Sequence, residues 1–370
     1  MNKANNTINA FFALLKAGLW EKNVQLLVYG PIDFRAIYNI AEEQSVVGLI
    51  AAGIEQIQDV KASKQDVLPF MTQVLSLENR NAAMNYFIGV IIDKMHEAKI
   101  NTVLIKGQGV AQCYERPSWR ASGDVDLFFD TDNYERAKQF LLPLASSVEP
   151  EDTTRMHLGL TIDPWVVELH GTMNSGISGK IDQCVKCVQD DIFINGGVRV
   201  WNYDGNMILL PNPDNDIIIV FTHFINHFYG GGIGLRQISD WCRLLWSYRD
   251  NISIRLLKDR IDEMKLMSEW KAFAYFAVRD LGMPKESMPF YEDTPRFRRK
   301  SGMIRKYILK TGNFGHNIDE SYRNRYSPFM RNVITFFRRL REFLSLSTIF
   351  PINAPKFFVT YVVRRLKVVV

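Results

Sequence analysis

Cysteine is scarce in this chain of 370 residues, with four in total, and long apolar runs are absent. Four scattered cysteines are too few for a disulfide framework, so we expect a reduced, cytoplasmic setting. No window of about eighteen residues is both apolar and uncharged, which argues against a membrane-spanning helix. The first residues contain only a brief apolar stretch, interrupted by Lys16, and no cleavage signature of small residues, so we expect no signal peptide.

The composition is that of a well-cored protein. Apolar residues make up 47% of the chain and charged residues 23%, which excludes extensive disorder. The length exceeds that of a usual single domain, so two or three packed units are expected. Neither internal repeats nor low-complexity segments occur.

The first part of the chain has helical periodicity. Apolar residues recur at steps of three and four from Ile8 onwards. Pro31 separates the first helices, and Pro69 is expected to interrupt the region again. We predict an all-helical N-terminal unit over residues 1–98.

Residues 99–212 combine strand and helix patterns. The β-branched run 101–105 predicts a buried strand that ends in a turn at Lys106 and Gly107. The other predicted elements are helices over 108–115 and 134–142, strands over 120–129 and 165–170, and a hairpin over 191–210 with Gly196 and Gly197 between its strands.

Helical periodicity returns in a predicted C-terminal unit, residues 213–350. Its predicted elements are amphipathic helices over 214–228, 235–248, 254–265 and 268–281, an irregular region over 285–330, and a last helix near 336–344. We predict an extended basic tail over 351–370.

The C-terminal quarter is strongly basic. From Arg296 to the end there are seventeen lysines or arginines and three acids, so this part carries +14 and the rest of the chain −9. Such a segment can pack against the acidic remainder of its own chain, rest on an anionic membrane surface, or bind nucleic acid. We prefer these alternatives in that order.

Two aspartates stand at the start of an apolar strand. Side chains alternate along a strand, so Asp124 and Asp126 point to one face while Val125, Leu127 and Phe129 point to the other. Adjacent carboxylates repel each other, which is relieved if a cation lies between them. Hard oxygen ligands favour Mg²⁺ or Mn²⁺.

The segment IKGQGVAQCYERPSWRASGDVDLFF, residues 105–129, resembles the nucleotidyltransferase superfamily with the DNA polymerase beta-like fold. It is more similar to the bacterial "uncharacterised nucleotidyltransferase" family, whose members carry a Lys-Gly turn, an arginine and a Gly-Asp-x-Asp-Leu strand. The resemblance is strongest over 101–170 and weaker over 213–246. It implies an α+β fold whose polymerase-beta-like core, a small mixed sheet with flanking helices, occupies 99–212.

The resemblance also implies metal-dependent transfer of a nucleoside monophosphate from a nucleoside triphosphate to an acceptor hydroxyl or phosphate, with release of pyrophosphate. In-line attack at the α-phosphate requires two metals, usually held by three carboxylates. Asp124 and Asp126 supply two of them. Glu168 is the best candidate for the third, because it is polar on an otherwise apolar strand, and the resemblance assigns it to metal binding or acceptor activation.

The nucleotide-binding candidates are Lys106, Gly107, Arg120 and Gly123. A glycine at the turn lets a backbone N–H approach the β- and γ-phosphates, and Lys106 adds a positive charge. Arg120 can reach the same phosphates or fix the start of the strand by pairing with an acid.

A further set of residues is expected to line the pocket: His170, His223, His227, Arg236 and Asp240. His223 and His227 are four residues apart on a helix, as are Arg236 and Asp240. A zinc site is disfavoured because no glutamate follows the first histidine. A structural role for His170 and an ion pair of Asp240 with Arg236 or a histidine remain as alternatives.

A non-catalytic role is the main alternative function. A chain of this fold could act as an adaptor that docks on a membrane surface, at the inner membrane face, or on partners in envelope-polysaccharide assembly. RNA-directed transfer is a second enzymatic alternative. The position of Glu168 distinguishes the enzyme from the adaptor, because two-metal chemistry is doubtful if Glu168 lies far from Asp124 and Asp126.

Overall fold

The computed structural model describes residues 3–173, 177–317 and 325–369. Its first helices are α1 (Lys3–Trp20), α2 (Phe34–Glu43), α3 (Val47–Glu55) and α4 (Lys64–Glu97). The first part of the chain is therefore helical, as predicted. The prediction that Pro69 interrupts it is wrong, because α4 continues through this residue. The proline lies near the start of α4, where a capping box between Ser63 and Asp66 fixes the first turn, and most of the helix follows it.

A five-stranded mixed sheet follows. Its strands are β1 (Val103–Ile105), β2 (Val125–Phe128), β3 (Ser147–Val148), β4 (His157–Ile162) and β5 (Trp165–His170), in the order β1-β2-β5-β4-β3. Strands β2 and β5 run parallel and the other pairs are antiparallel. This confirms the α+β class with a small mixed sheet. The helices of this region are α5 (Gly107–Ala111), shorter than predicted, and α6 (Thr131–Leu141).

The predicted hairpin exists, but its turn lies elsewhere. Residues before Gly196 belong to α7 (Gly179–Ile194), and the hairpin consists of β6 (Val198–Tyr203) and β7 (Asn206–Pro211). The connecting residues Asp204 and Gly205 have φ values of 48° and 83°. Asp-Gly with two positive φ angles favours a tight turn whose twist matches that of the strands.

The C-terminal helices are α8 (Pro213–Gly230), α9 (Leu235–Ser247), α10 (Ile254–Met264), α11 (Met267–Asp280), α12 (Pro295–Thr311), α13 (Pro328–Ser347) and α14 (Asn353–Val369). The first four match their predictions closely. The prediction of an irregular region over 285–330 is wrong for α12. Thr294 caps this helix, and Pro295 occupies its first position, where the missing N–H of proline loses no hydrogen bond. The prediction of an extended tail is also wrong, because the segment forms the helix α14. This helix packs on α13 through Phe358, whose ring centroid lies 5.1 Å from that of Phe343.

Two hydrophobic clusters lie on opposite faces of the sheet. One contains Leu127 and Val167 and packs against α4, α6 and the hairpin. The other contains Ile105 and Phe128 together with side chains of α1–α3 and of the C-terminal helices. The N- and C-terminal helical regions thus share one core, and the unit boundaries stay a prediction. In the ranges that the structure describes, no helix is long and apolar enough to cross a membrane.

Candidate active site

The strand register brings three carboxylates together. Asp126 on β2 pairs with Glu168 on β5, and Asp124 immediately precedes β2 on the same face. Each of the three offers an oxygen, and these oxygens all lie within 4.8 Å of one another. Asp126 is only 3% exposed. The sequence thus pointed to a set of acids that the fold does place at one location.

Asp126 has two cationic or polar partners. Lys106 Nζ donates to Asp126 Oδ1 at 2.7 Å, and His170 Nε2 lies 2.8 Å from the same oxygen. Burial would raise the pKa of Asp126, but Lys106 and His170 offset this and hold it well below its usual range. Asp124 behaves in the opposite way, because repulsion by Asp126, then burial, raises its pKa. The two aspartates are therefore unequal, with Asp126 as the firmly ionised member.

Glu168 is held by a histidine that the sequence did not single out. His157 Nε2 on β4 lies 3.3 Å from Glu168 Oε2, and His170 Nε2 lies 3.5 Å from the same oxygen. The hydrogen bond with His157 lowers the pKa of Glu168, and the same bond raises the pKa of His157. Both groups are thus favoured in their charged forms, and the imidazole orients the carboxylate.

His157 was missed because β4 was missed. Its segment does alternate, with Leu158, Leu160 and Ile162 apolar and His157, Gly159 and Thr161 between them. This period of two, followed by a proline turn into β5, is the signal that could have revealed it.

The Lys-Gly turn between β1 and α5 has an unusual backbone. Lys106 has φ 56° and ψ −140°, and Gly107 has φ 33°. A side chain at such a φ is strained, by roughly 1–3 kcal/mol, and such residues cluster at functional sites. Burial would lower the pKa of Lys106, but Asp126, with Glu168 and Asp124, raises it overall, so the side chain is a firm cation.

Arg120 pairs with an acid. Its Nε donates to Asp240 Oδ1 at 2.7 Å and its Nη2 to Asp240 Oδ2 at 2.8 Å, and the hydroxyl of Tyr114 donates to Oδ1 at 2.8 Å. This bidentate pair ties the loop before β2 to α9, which is the second of the two roles predicted for Arg120. The ion-pair alternative for Asp240 named Arg236 or a histidine as the partner, whereas the bidentate partner in the structure is Arg120.

Other polar contacts hold the same loop in place. Arg236 Nη1 donates to the carbonyl of Ala121 at 3.0 Å, and Arg80 Nη2 donates to that of Gly123 at 3.3 Å. Asn81, a buried residue of α4, donates to the carbonyl of Arg120 at 2.9 Å. The loop that carries Gly123 to Asp124 is therefore fixed from α4 and α9 at once, which positions the first aspartate.

Two cavities adjoin the carboxylates. One, of about 200 Å³, is lined by the three acids and by eight of the other predicted residues: Lys106, Gly107, Arg120, Gly123, His223, His227, Arg236 and Asp240. The other, of about 230 Å³, contains His170 and His157. Lys106, Glu168, His223 and His227 line both cavities, so all of the predicted site residues adjoin one continuous region.

The carboxylate cluster fits a divalent cation. Its donors are hard oxygens, two of the three groups are partly exposed, and Lys106 now supplies the positive charge against Asp126. A second cluster in the described residues, His157, Glu168 and His170, shares Glu168 with the first.

The class of protein is shown by the family to which the chain belongs. The chain belongs to the family described as "Uncharacterised nucleotidyltransferase", whose family model matches residues 30–281, and this confirms the family indicated by the sequence. A solved structure that the chain resembles is an antigenic nucleotidyltransferase-like protein from Paracoccidioides brasiliensis, with 13% identity and a TM-score of 0.32 over 49% of this chain and 86% of that chain. No curated protein matches the chain.

The partly buried histidines of α8, His223 and His227, should give a pH dependence of stability. Burial, then Lys106 and Arg236, lowers the pKa of His227 from 6.5 to about 4. The unfolded state therefore binds more protons between these two values, so stability should fall as the pH falls through this window. We expect His227→Gln to flatten that part of the profile, measured as urea midpoints at several pH values. His316→Gln, at an exposed histidine, is the control. An equal flattening in this control would contradict the attribution of the pH dependence to His227.

Proposed function

We propose that this protein is a metal-dependent nucleotidyltransferase that transfers a nucleoside monophosphate from a nucleoside triphosphate to an acceptor and releases pyrophosphate. The observation that carries the proposal is the convergence of Asp124, Asp126 and Glu168 beside the Lys106-Gly107 turn. The position of Glu168 supports catalysis over a purely structural adaptor, for which a third acid at this place has no use.

The three carboxylates would hold Mg²⁺ or Mn²⁺, which would supply charge neutralisation at the transferred phosphoryl group and activation of the acceptor oxygen. Asp126 is suited to constant ligation because it stays ionised. Glu168 is oriented by His157 and faces both cavities, so it is placed to act on an acceptor as well as on the metal.

The other predicted residues receive distinct roles. Lys106 and the N–H of Gly107 bind the β- and γ-phosphates at the first cavity. Arg120 fixes the loop that carries Gly123 and Asp124 through its ion pair with Asp240. Arg120 and Gly123 also line the first cavity, where the nucleotide binds. His170 orients Asp126, and the acceptor occupies the second cavity beside His223 and His227.

Lys106 gives a test that separates nucleotide binding from metal binding. In Lys106→Met, nucleotide affinity should fall about ten- to a hundredfold, because a charge-assisted hydrogen bond contributes roughly 1.5–3 kcal/mol. Mn²⁺ affinity should rise, because the ammonium no longer competes for Asp126. Calorimetric titrations with Mn²⁺ alone and with a non-hydrolysable triphosphate measure the two effects. Unchanged nucleotide affinity would remove Lys106 from the phosphate site.

A further inference from the structure

A basic cleft lies between α12 and α13, away from the carboxylates. Its volume is about 650 Å³. Four cations line it, Lys306 and Lys310 from α12 and Arg338 and Arg341 from α13, and Glu342 is the acid among its described lining residues. Glu342 accepts from Arg339 at 2.6 Å and also pairs with Arg338 at 3.7 Å. The described lining still holds four cations against one acid, so the cleft has an excess of positive charge.

An exposed apolar stripe borders this cleft. Met330, Phe337 and Leu344 follow one another at steps of seven along α13, which places them on one line of the helix. Their exposed fractions are 42%, 62% and 62%. Arg341 follows Phe337 by four residues and precedes Leu344 by three, which places it on the same side of α13. It also lines the cleft, so the apolar stripe and the cations are adjacent.

We propose that the basic cleft binds the phosphate headgroup of an anionic phospholipid while Met330, Phe337 and Leu344 contact the acyl region of the bilayer. Cations beside an exposed apolar helix face are the arrangement of a helix that lies in a membrane interface. A free phosphate compound would leave the apolar stripe without a purpose. Nucleic acid is less well matched, because only Phe337 of the three stripe residues offers a ring on which a base could stack. This role goes beyond nucleotidyl transfer and does not depend on it.

Vesicle flotation of the full chain tests the proposal without any nucleotide. We expect binding to phosphatidylcholine vesicles that contain phosphatidylglycerol, little binding to phosphatidylcholine alone, and weakening by salt. The triple charge reversal Lys306→Glu, Lys310→Glu and Arg341→Glu should lower partitioning roughly a hundredfold or more, since each basic residue near an anionic surface contributes about fivefold. All three side chains are exposed, so the fold should tolerate the changes.

The controls match the test variants. Reversal of exposed Arg35, Lys61 and Lys64 changes the net charge equally at another surface, and should leave most of the binding intact. An equal loss of vesicle binding in this control would show that net charge alone explains the effect, and would overturn the proposal.

The apolar stripe is tested separately. Phe337→Ser with Leu344→Ser should weaken vesicle binding, whereas Leu68→Ser with Leu75→Ser, exposed leucines at the same spacing on α4, should not. If the stripe variant binds vesicles normally and glycerol phosphate competes fully, the site takes a free phosphate and the lipid proposal fails. It also fails if single-stranded RNA binds at the cleft and vesicles do not.

Discussion

Asp124→Asn should abolish metal-dependent pyrophosphate release while leaving the protein as stable as before or more stable. The loss should be roughly a thousandfold or more, because a metal ligand that neutralises developing charge contributes several kcal/mol to the transition state. The gain in stability follows from the raised pKa of Asp124: its charged form is disfavoured in the fold by Asp126 and by burial. A neutral amide removes that repulsion.

Asp126→Asn should also abolish release, but it should lower stability. The pKa of this carboxyl is held low in the folded protein by Lys106 and His170, which outweigh burial. Its charged form therefore stabilises the fold at every pH above the pKa of an unfolded aspartate, and this stabilisation is lost as the pH falls below that value. The amide leaves the partly buried ammonium of Lys106 without the carboxylate that lies 2.7 Å away. The two variants are thus expected to agree in activity and to differ in the sign of the stability change.

The experiment combines an assay and a denaturation curve. Pyrophosphate release and self-labelling are measured with each nucleoside triphosphate labelled at the α-phosphate, with Mg²⁺ or Mn²⁺, and stability is measured by urea unfolding without metal. Asp250→Asn, at a side chain that is 81% exposed, is the matched control and should change neither. Labelling that persists in both site variants would overturn the enzymatic proposal, whatever the stability data show.

The strands that carry the acids could be predicted because their signals are local. Along β5 the last four residues alternate between apolar (Val167, Leu169) and polar (Glu168, His170), which is enough to set the face that Glu168 occupies. Its distance from Asp126 depends on β2 and β5 being parallel neighbours, which residue spacing alone could not establish.

Contacts between distant segments could not be predicted in this way. His157 reaches Glu168 through the antiparallel pairing of β4 with β5, in which Gly159 lies opposite Glu168. Arg120 and Asp240 are 120 positions apart, and their pairing depends on how α9 packs beside the loop before β2. Periodicity assigns a side chain to a face of its own element, but it does not say which residue of another element meets it.

The errors near the C-terminus have a physical cause as well. Proline inside a segment favours a break in a helix, yet Pro295 and Pro328 follow a threonine and a serine that cap α12 and α13. At the first position of a helix, proline provides a favourable φ and loses no hydrogen bond. The pattern of a capping residue followed by proline therefore predicts the start of a helix.

Asp240→Ala should be the most destabilising single change at the site. The guanidinium of Arg120 is 5% exposed, and its carboxylate partner accepts two hydrogen bonds from it and a third from Tyr114. Removing one member of a buried ion pair leaves an uncompensated charge, which costs about 3–5 kcal/mol. Arg236 lies close enough to Arg120 that the two cations affect each other, since burial and then Arg120 lower the pKa of Arg236. Loss of Asp240 therefore removes a negative charge that stabilises both guanidinium groups.

The double variant Arg120→Met with Asp240→Leu distinguishes a lost pair from a lost packing contact. A buried ion pair can often be replaced by apolar residues of similar volume at little cost, so the double variant should be more stable than Asp240→Ala and far more stable than the sum of the two single changes predicts. Urea unfolding of the unaltered chain, of Arg120→Met, of Asp240→Leu and of the double variant gives the coupling energy directly. Additive effects would show that Arg120 and Asp240 act independently, and the loop before Asp124 would then depend on Asn81 and Arg236 for its position. Strong coupling would instead show that α9 holds this loop through a single ion pair, so that the placement of the first metal-binding aspartate depends on a residue 116 positions further along the chain.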